Sequence, residues 1–224
     1  MEGNRPAGAR RCWPGSRSRG VDRDSRRGVK ILCSPVCGGG ELSQLIQPGA
    51  EFGRFFRAFE YTAFRLEVRV TYAPSYERES FERFLTGEPY ELSWMQEWLS
   101  MIRDATKGGR RFSRVRVVSL PLSDYNRWSY VISQHNIAAG EDIRYLTRER
   151  ALEIGLPDHD YWLFDSRGLL RMRFDAADRF IGGEIVEDPS VVVRHNYWRD
   201  AAWHHAIRRD RFATEEQFRR PERL

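Results

Sequence analysis

Three short apolar segments near the C-terminal end, residues 161–165, 169–174 and 180–186, constrain the fold of this chain more than anything else in it. Each is too short for a stable helix and rich in aromatic and branched residues, and only the stretches 166–168 and 175–179 separate them. Connections this short leave no room for a crossover, so the three segments must be antiparallel neighbours in a β-meander. Gly182-Gly183 in the third segment predicts a bulge or a close backbone approach. The chain must therefore build a sheet, and what precedes the meander must pair with it or cover it.

The preceding residues supply both kinds of element. Phe52, Phe55, Phe56 and Phe59 recur at the spacing of one helix face. Residues 60–72 then alternate, with Phe64, Leu66, Val68, Val70 and Tyr72 on one side and Arg65, Glu67, Arg69 and Thr71 on the other, which predicts a half-buried strand ended by Pro74. Helices are predicted over 76–85, closed by Gly87, and over 93–107, stopped by Gly108-Gly109. A second strand over 111–120 carries Val115, Val117 and Val118. A helix follows, capped by Ser123 or Asp124 and running to about 139. Residues 141–146 predict another strand, Thr147 opens a short helix to 154, and Asp188-Pro189 opens a long final helix to about 207. Strands early and late with helices between them imply an α+β domain. Its sheet is mixed or antiparallel and includes the C-terminal three-stranded meander, with helices packed on it and a long C-terminal helix.

The basic balance of the chain belongs to its ends. Residues 1–49 hold nine basic and four acidic side chains, a net of +5, whereas 50–224 hold 28 of each. A duplex-binding face needs clustered positive charge, so nucleic-acid binding by the core is not expected. Cys12, Cys33 and Cys37 all lie in the same leader, so no disulfide staples the core, and three cysteines without a nearby histidine do not make a metal site. Residues 1–45 thus read as a disordered leader, 46–208 as a single domain and 209–224 as a charged, frayed tail. The chain has two lysines against thirty-five arginines and no methionine between Met1 and Met95, and the expected true start is a non-ATG codon near Val36 or Leu42. No apolar run is long enough for a membrane span or a secretory signal, so the expected location is the cytoplasm, with no membrane partner.

No reaction is legible. The chain lacks dinucleotide and phosphate-loop glycine motifs, a nucleophile elbow and paired zinc-ligand histidines, so no cofactor and no metal are expected. A His-x-Lys site is ruled out because Tyr161 follows His159 at the lysine position. The most suggestive cluster is Asp158-His159-Asp160 before the strand that ends at Asp165, since a histidine between carboxylates can transfer protons. A solvated turn is the plainer reading of it. His204 and His205 lie about 100° apart on one helix and do not chelate one metal together. Arg65, Arg69, Arg114 and Arg116 line the polar sides of two strands, and Glu141, Asp142 and Arg144 flank a third. A cross-strand ion-pair ladder with Glu67 is favoured for them over an anion pocket built from Arg65, Arg116, Glu141 and Arg144. Tryptophans exposed on the last helix would mark an interaction surface.

Several strings carry a resemblance. They are Ala63-Phe64-Arg65-Leu66-Glu67-Val68, Arg114-Val115-Arg116-Val117-Val118-Ser119 with Pro121 and Ser123-Asp124-Tyr125, and Ala139-Gly140-Glu141-Asp142-Ile143-Arg144-Tyr145-Leu146. Tyr161-Trp162-Leu163-Phe164-Asp165 and Arg199-Asp200-Ala201-Ala202-Trp203 follow in order. Together, over residues 52–206, they resemble an actinobacterial family known only as domain of unknown function 6879. The resemblance implies a partner, because members are often encoded beside helix-turn-helix regulators, and it implies no catalytic residues. The expectation is a non-enzymatic regulatory or interaction protein acting with such a regulator. The alternative is a hydrolase or a nucleotide- or phosphate-binding protein using the 158–160 loop, Asp165 and the strand arginines.

Overall fold

The computed structural model describes residues 44–212. Among them seven helices and one eight-stranded sheet make an α+β fold. The strands are β1 (Leu45–Ile46), β2 (Thr62–Glu67), β3 (Arg111–Val118), β4 (Asp142–Thr147), β5 (Tyr161–Phe164), β6 (Gly168–Phe174), β7 (Phe180–Val186) and β8 (Ile207–Arg208). The helices are α1 (Ala50–Ala58), α2 (Arg78–Thr86), α3 (Gln96–Lys107), α4 (Asp124–Ala138), α5 (Arg148–Glu153), α6 (Pro189–His205) and α7 (Arg209–Phe212). The sheet order is β1-β7-β6-β5-β2-β3-β4-β8, parallel across β2, β3 and β4 and antiparallel elsewhere. The mixed sheet and the β5-β6-β7 meander follow the expectation. The parallel centre follows from the helices that intervene between β2, β3 and β4, since parallel neighbours need a crossover.

Local chemistry fixes the boundaries. Ser123 caps α4 by accepting from the Asn126 N–H, Thr147 caps α5, and Asp188 accepts from the Ser190 and Val191 N–H groups with proline in the first turn of α6. Gly87 ends α2 in the left-handed region at φ 77°. Strand β2 stops at Glu67, earlier than the alternation to residue 72 predicts. The Val68 N–H turns instead to Asp160 Oδ1 (2.9 Å), and Val70 is exposed.

Helices cover both faces of the sheet. On one face Phe64, Leu66, Val115, Val117, Tyr161 and Leu163 pack with residues of α5 and α6 in an apolar layer. On the other face Ala63, Phe112, Trp162 and Leu170 meet Phe56 of α1, Leu99 of α3 and Trp128 of α4. The expectation of a half-buried β2 is corrected accordingly: parallel central strands are covered on both sides, and Arg65 and Glu67 lie inside the protein.

Most of the expected leader, with Cys12, Cys33, Cys37 and the expected internal start, lies outside the described residues. Its last residue, Leu45, already belongs to β1. The expected tail is corrected at its beginning, where 209–212 form α7 and the Phe212 ring stacks on Tyr145 at 4.9 Å, buried between α4 and β4. Residues 213–224 lie outside the described part. No helix among the described residues is long and apolar enough to cross a membrane.

The glycine pair in β7 permits the close approach expected of it. A Cβ on Gly182, at φ +150°, would stand 2.5 Å from the Ile46 carbonyl oxygen, so a side chain there must push β1 off the sheet edge. Gly109, at φ +83°, has open space around it. Chemical denaturation is expected to report a loss of about 1 kcal/mol for Gly109→Ala and roughly 3 kcal/mol for Gly182→Ala.

Candidate functional site

Alternation on β2 sends Ala63, Arg65 and Glu67 to the face covered by α1, α3 and α4. The parallel register sets Arg65 beside Arg114 and Glu67 beside Arg116 on the same side. The expected cross-strand ladder therefore forms, but it is buried. Arg65, Glu67 and Arg116 are each less than a tenth exposed. Glu67 accepts from Arg114 Nη1 at Oε1 (2.8 Å) and from Arg116 Nε at Oε2 (2.6 Å), and Arg65 Nε lies 3.4 Å from Oε1. Two further carboxylates stand at the ends of the network. Asp160 accepts from Arg65 Nη2 (3.0 Å) and from the Tyr72 hydroxyl (2.6 Å), and Glu141 accepts from Arg114 Nε (2.8 Å) and from the Asn136 amide of α4 (2.8 Å).

Removing these charges from water costs several kcal/mol per ion, and only mutual attraction with good geometry offsets it. Burial pushes the Glu67 carboxyl pKa up, but Arg114, Arg116 and Arg65 outweigh that push and hold it at about 2. The burial of Asp160 wins over its partners, and its pKa is raised.

The network floors a cavity of about 1040 Å³ between the sheet and the helices. Ten aromatic side chains line it, Tyr72, Trp94, Trp98, Trp162, Phe174 and Phe180 among them, beside an equal number of charged ones. Arg65 and Arg114 sit 5.4 and 5.9 Å from the Trp162 ring centre, within cation–π range. Glu77 also faces the cavity, accepting from the Tyr125 hydroxyl at 2.7 Å and the Trp128 indole at 3.5 Å, with its pKa raised by burial. Three enclosed nitrogens of cavity-lining residues lack a hydrogen-bond partner: Arg65 Nε, Arg116 Nη1 and Trp94 Nε1.

The other residues singled out in the sequence do not converge here. Asp158 is fully exposed at the side chain, and Asp160 points away from its neighbours into the ion network. Asp165, at the far end of β5, accepts from the N–H groups of Glu60, Tyr61 and Thr62, a structural role. Arg144 faces the α6 side, stacked 3.7 Å from the Trp203 ring centre and bonded to the Trp203 carbonyl, so it is not part of an anion pocket with Arg65 and Arg116. His159 also lies on the α6 side, its Nε2 3.0 Å from Nε2 of His195. His195 is completely buried, and its Nδ1 must carry the proton it donates to the Val191 carbonyl (2.7 Å). Its Nε2 is then an acceptor for the His159 N–H. Burial, aided by His159 and nearby arginines, lowers the His195 pKa to about 4. The tryptophans of α6 pack inward, Trp198 on His195 and Trp203 on Arg144; the large exposed groups there are Val193 and Tyr197. No group of three or more histidine, cysteine or acidic side chains among the described residues is arranged to hold a metal ion.

Sequence reasoning missed Tyr72, Glu77, Trp94 and Trp162 as cavity walls. It also missed His195 as the partner of His159. The one signal that pointed to the site was the doubled Arg-x-Glu and Arg-x-Arg alternation of β2 and β3.

Comparison with known proteins agrees with the sequence resemblance. The model of a family described as Domain of unknown function (DUF6879) matches residues 50–214. No curated protein matches the chain.

Two outcomes follow from the electrostatics. Glu67→Gln leaves three buried guanidiniums without their central anion, and denaturation is expected to report a loss of about 3 kcal/mol or more. His195 titrates at a lower pH in the folded chain than the ordinary 6.5. The unfolded chain therefore takes up the proton first as pH falls. Its contribution is complete above about 6.5 and shrinks as pH falls towards 4. Denaturation of wild type and His195→Gln across that window is expected to give stability curves that converge on the acid side, by up to about 2 kcal/mol.

Proposed function

Since this chain belongs to the DUF6879 family, whose description carries no activity, we propose from its own residues that it is a non-catalytic regulatory protein that binds a small molecule in the cavity beneath α1, α3 and α4. The observation that carries this reading is the cavity itself, with its buried ion network. Ligand sites are concave, mostly apolar and supplied with a few convergent polar groups, in the size range of this one. A buried ion network adds little stability over well-packed apolar residues, so its presence around empty volume favours a ligand over stability as its purpose.

Binding fits better than turnover. No histidine or cysteine is among the described residues that line the cavity. Glu67, ionised down to about pH 2 and held by three arginines, is a poor proton acceptor, and both oxygens of Glu77 are engaged. The output in this proposal is a helix-turn-helix regulator in the cytoplasm, the partner implied by the sequence resemblance.

A small-molecule library screened by thermal shift tests the proposal, with mass spectrometry of each hit after prolonged incubation. The expected outcome is a saturable ligand that raises the melting temperature and is recovered unchanged. A ligand recovered as a new product would overturn the non-catalytic reading. Co-purification of the neighbouring helix-turn-helix protein, altered by the ligand, is the expected regulatory readout.

A further inference from the structure

The hydrogen-bond inventory of the cavity is lopsided, and that lopsidedness points to a ligand class. The buried carboxylates on and behind the cavity lining are engaged. Glu67 accepts from Arg114 and Arg116, Asp160 from Arg65, Tyr72 and the Val68 N–H, Glu141 from Arg114 and Asn136, and Glu77 from Tyr125 and Trp128. The enclosed side-chain nitrogens left without a hydrogen-bond partner on the lining residues are all donors: Arg116 Nη1, Trp94 Nε1 and Arg65 Nε. Leaving a buried donor unsatisfied costs on the order of 1–3 kcal/mol, and more when it is charged. A ligand that offers acceptors recovers that cost, whereas one that offers donors finds few free acceptors among these groups.

Charge narrows the class further. Arg65, Arg114 and Arg116 line the cavity, while Glu141 and Asp160 stand behind the lining. Over the whole lining five arginines stand against five carboxylates, Glu97, Asp104 and Asp178 among them, so the surface presented to a ligand is balanced, as is the network of three arginines with Glu67, Glu141 and Asp160. A single negative charge placed at the unpartnered Arg116 Nη1 meets a cation there; a phosphate dianion brings a second charge to a lining with no net positive charge. The walls select shape. Trp94, Trp98, Trp162, Tyr72 and Phe174 offer ring faces and edges, which favour a flat aromatic body.

We propose that the cavity ligand is a planar aromatic monocarboxylate, its carboxylate received by Arg116 and its rings held between the tryptophan and tyrosine walls. This rests on the ligand-binding reading above and deepens it. Three probes of one ring system separate its parts: 2-naphthoate, neutral 2-naphthol and dianionic 2-naphthyl phosphate, each titrated into the full chain while tryptophan fluorescence is followed. The expected result is saturable quenching by 2-naphthoate at about micromolar concentration, with the other two at least tenfold weaker. Arg116→Met, which keeps the stem and deletes the donors, is expected to weaken 2-naphthoate about tenfold or more and to leave 2-naphthol unchanged. Should that variant not fold, Trp94→Phe keeps an aromatic wall, removes the indole N–H and is expected to cost about three- to tenfold. Equal binding of 2-naphthol, or tighter binding of the phosphate, overturns the monocarboxylate assignment while leaving the ligand-binding reading intact. Unchanged 2-naphthoate affinity in the folded variants also overturns it. Failure of all three probes overturns it too, and the library screen then judges the ligand-binding reading separately.

Discussion

The carboxylate of Glu67, held between three guanidiniums, is the interaction on which the rest of this structure turns. Arginines that share one face of two adjacent parallel strands repel one another strongly in a low-dielectric interior. An anion at Glu67 turns that repulsion into attraction, and it does so only in the observed register, where Glu67 lies beside Arg116 and Arg65 beside Arg114. A slip of one residue would move every charge to the opposite face, into the apolar layer under α5 and α6. The network then reaches outward. Asp160 ties in the start of β5, and Glu141 with Asn136 ties the start of β4 to α4. Four strands and one helix are thereby positioned by charges that have no other place to go.

The two faces of the sheet consequently do different work. Under α5 and α6 the packing is mainly apolar, with the histidine pair beside Tyr161 and Trp198 and Arg144 on Trp203 as polar exceptions. Under α1, α3 and α4 an aromatic cluster packs the sheet: Phe56 meets Trp162 and Phe164 edge-on and stacks on Phe112, which meets Trp162 edge-on, all within about 6.5 Å. Beside Ala63, Leu170 and Met172, that face also carries guanidinium and carboxylate groups, which apolar helix side chains cannot cover closely without losing hydrogen bonds. The cavity is what that mismatch leaves.

Much of the fold was legible because local chemistry and global structure agree. Ser123, Thr147 and Asp188 cap the helices that their positions imply, and the short connections of 161–186 admit only a meander. The two-residue strands β1 and β8 and the turn α7 were not legible, because so few residues carry no period and their pairing is set wholly by partners distant in sequence. Half of the site was legible as well. The alternation of Arg65, Glu67, Arg114 and Arg116 was read as a ladder, and that ladder forms, buried on the cavity floor, whereas Arg144 of the alternative pocket reading lies on the opposite face. What the sequence could not supply was the cover over that face. An Arg-bearing strand side looks the same whether water or a helix lies opposite, so burial, the feature that turns a surface ladder into a candidate site, was invisible. Asp158-His159-Asp160 failed as a cluster for a simpler reason: the bend before β5 leaves Asp158 in solvent, His159 on His195 of α6 and Asp160 in the ion network on the other face.

The choice of arginine gives the two faces different responses to acid. With thirty-five arginines and two lysines in the chain, the buried cations are guanidiniums, which keep their proton under any burial a protein can impose. Lysine in their place would lose its charge on burial and release Glu67 from its partners. With Glu67 ionised down to about pH 2, the centre of the cavity floor keeps its charge pattern across the physiological range. Across the sheet, His195 stays neutral until about pH 4 only because burial holds it there, at a cost to stability that grows below neutrality. Mild acid therefore strains the α6 side while the Glu67–arginine centre stays fixed. A ligand bound through Arg116 would accordingly meet the same cation at any pH at which the domain remains folded.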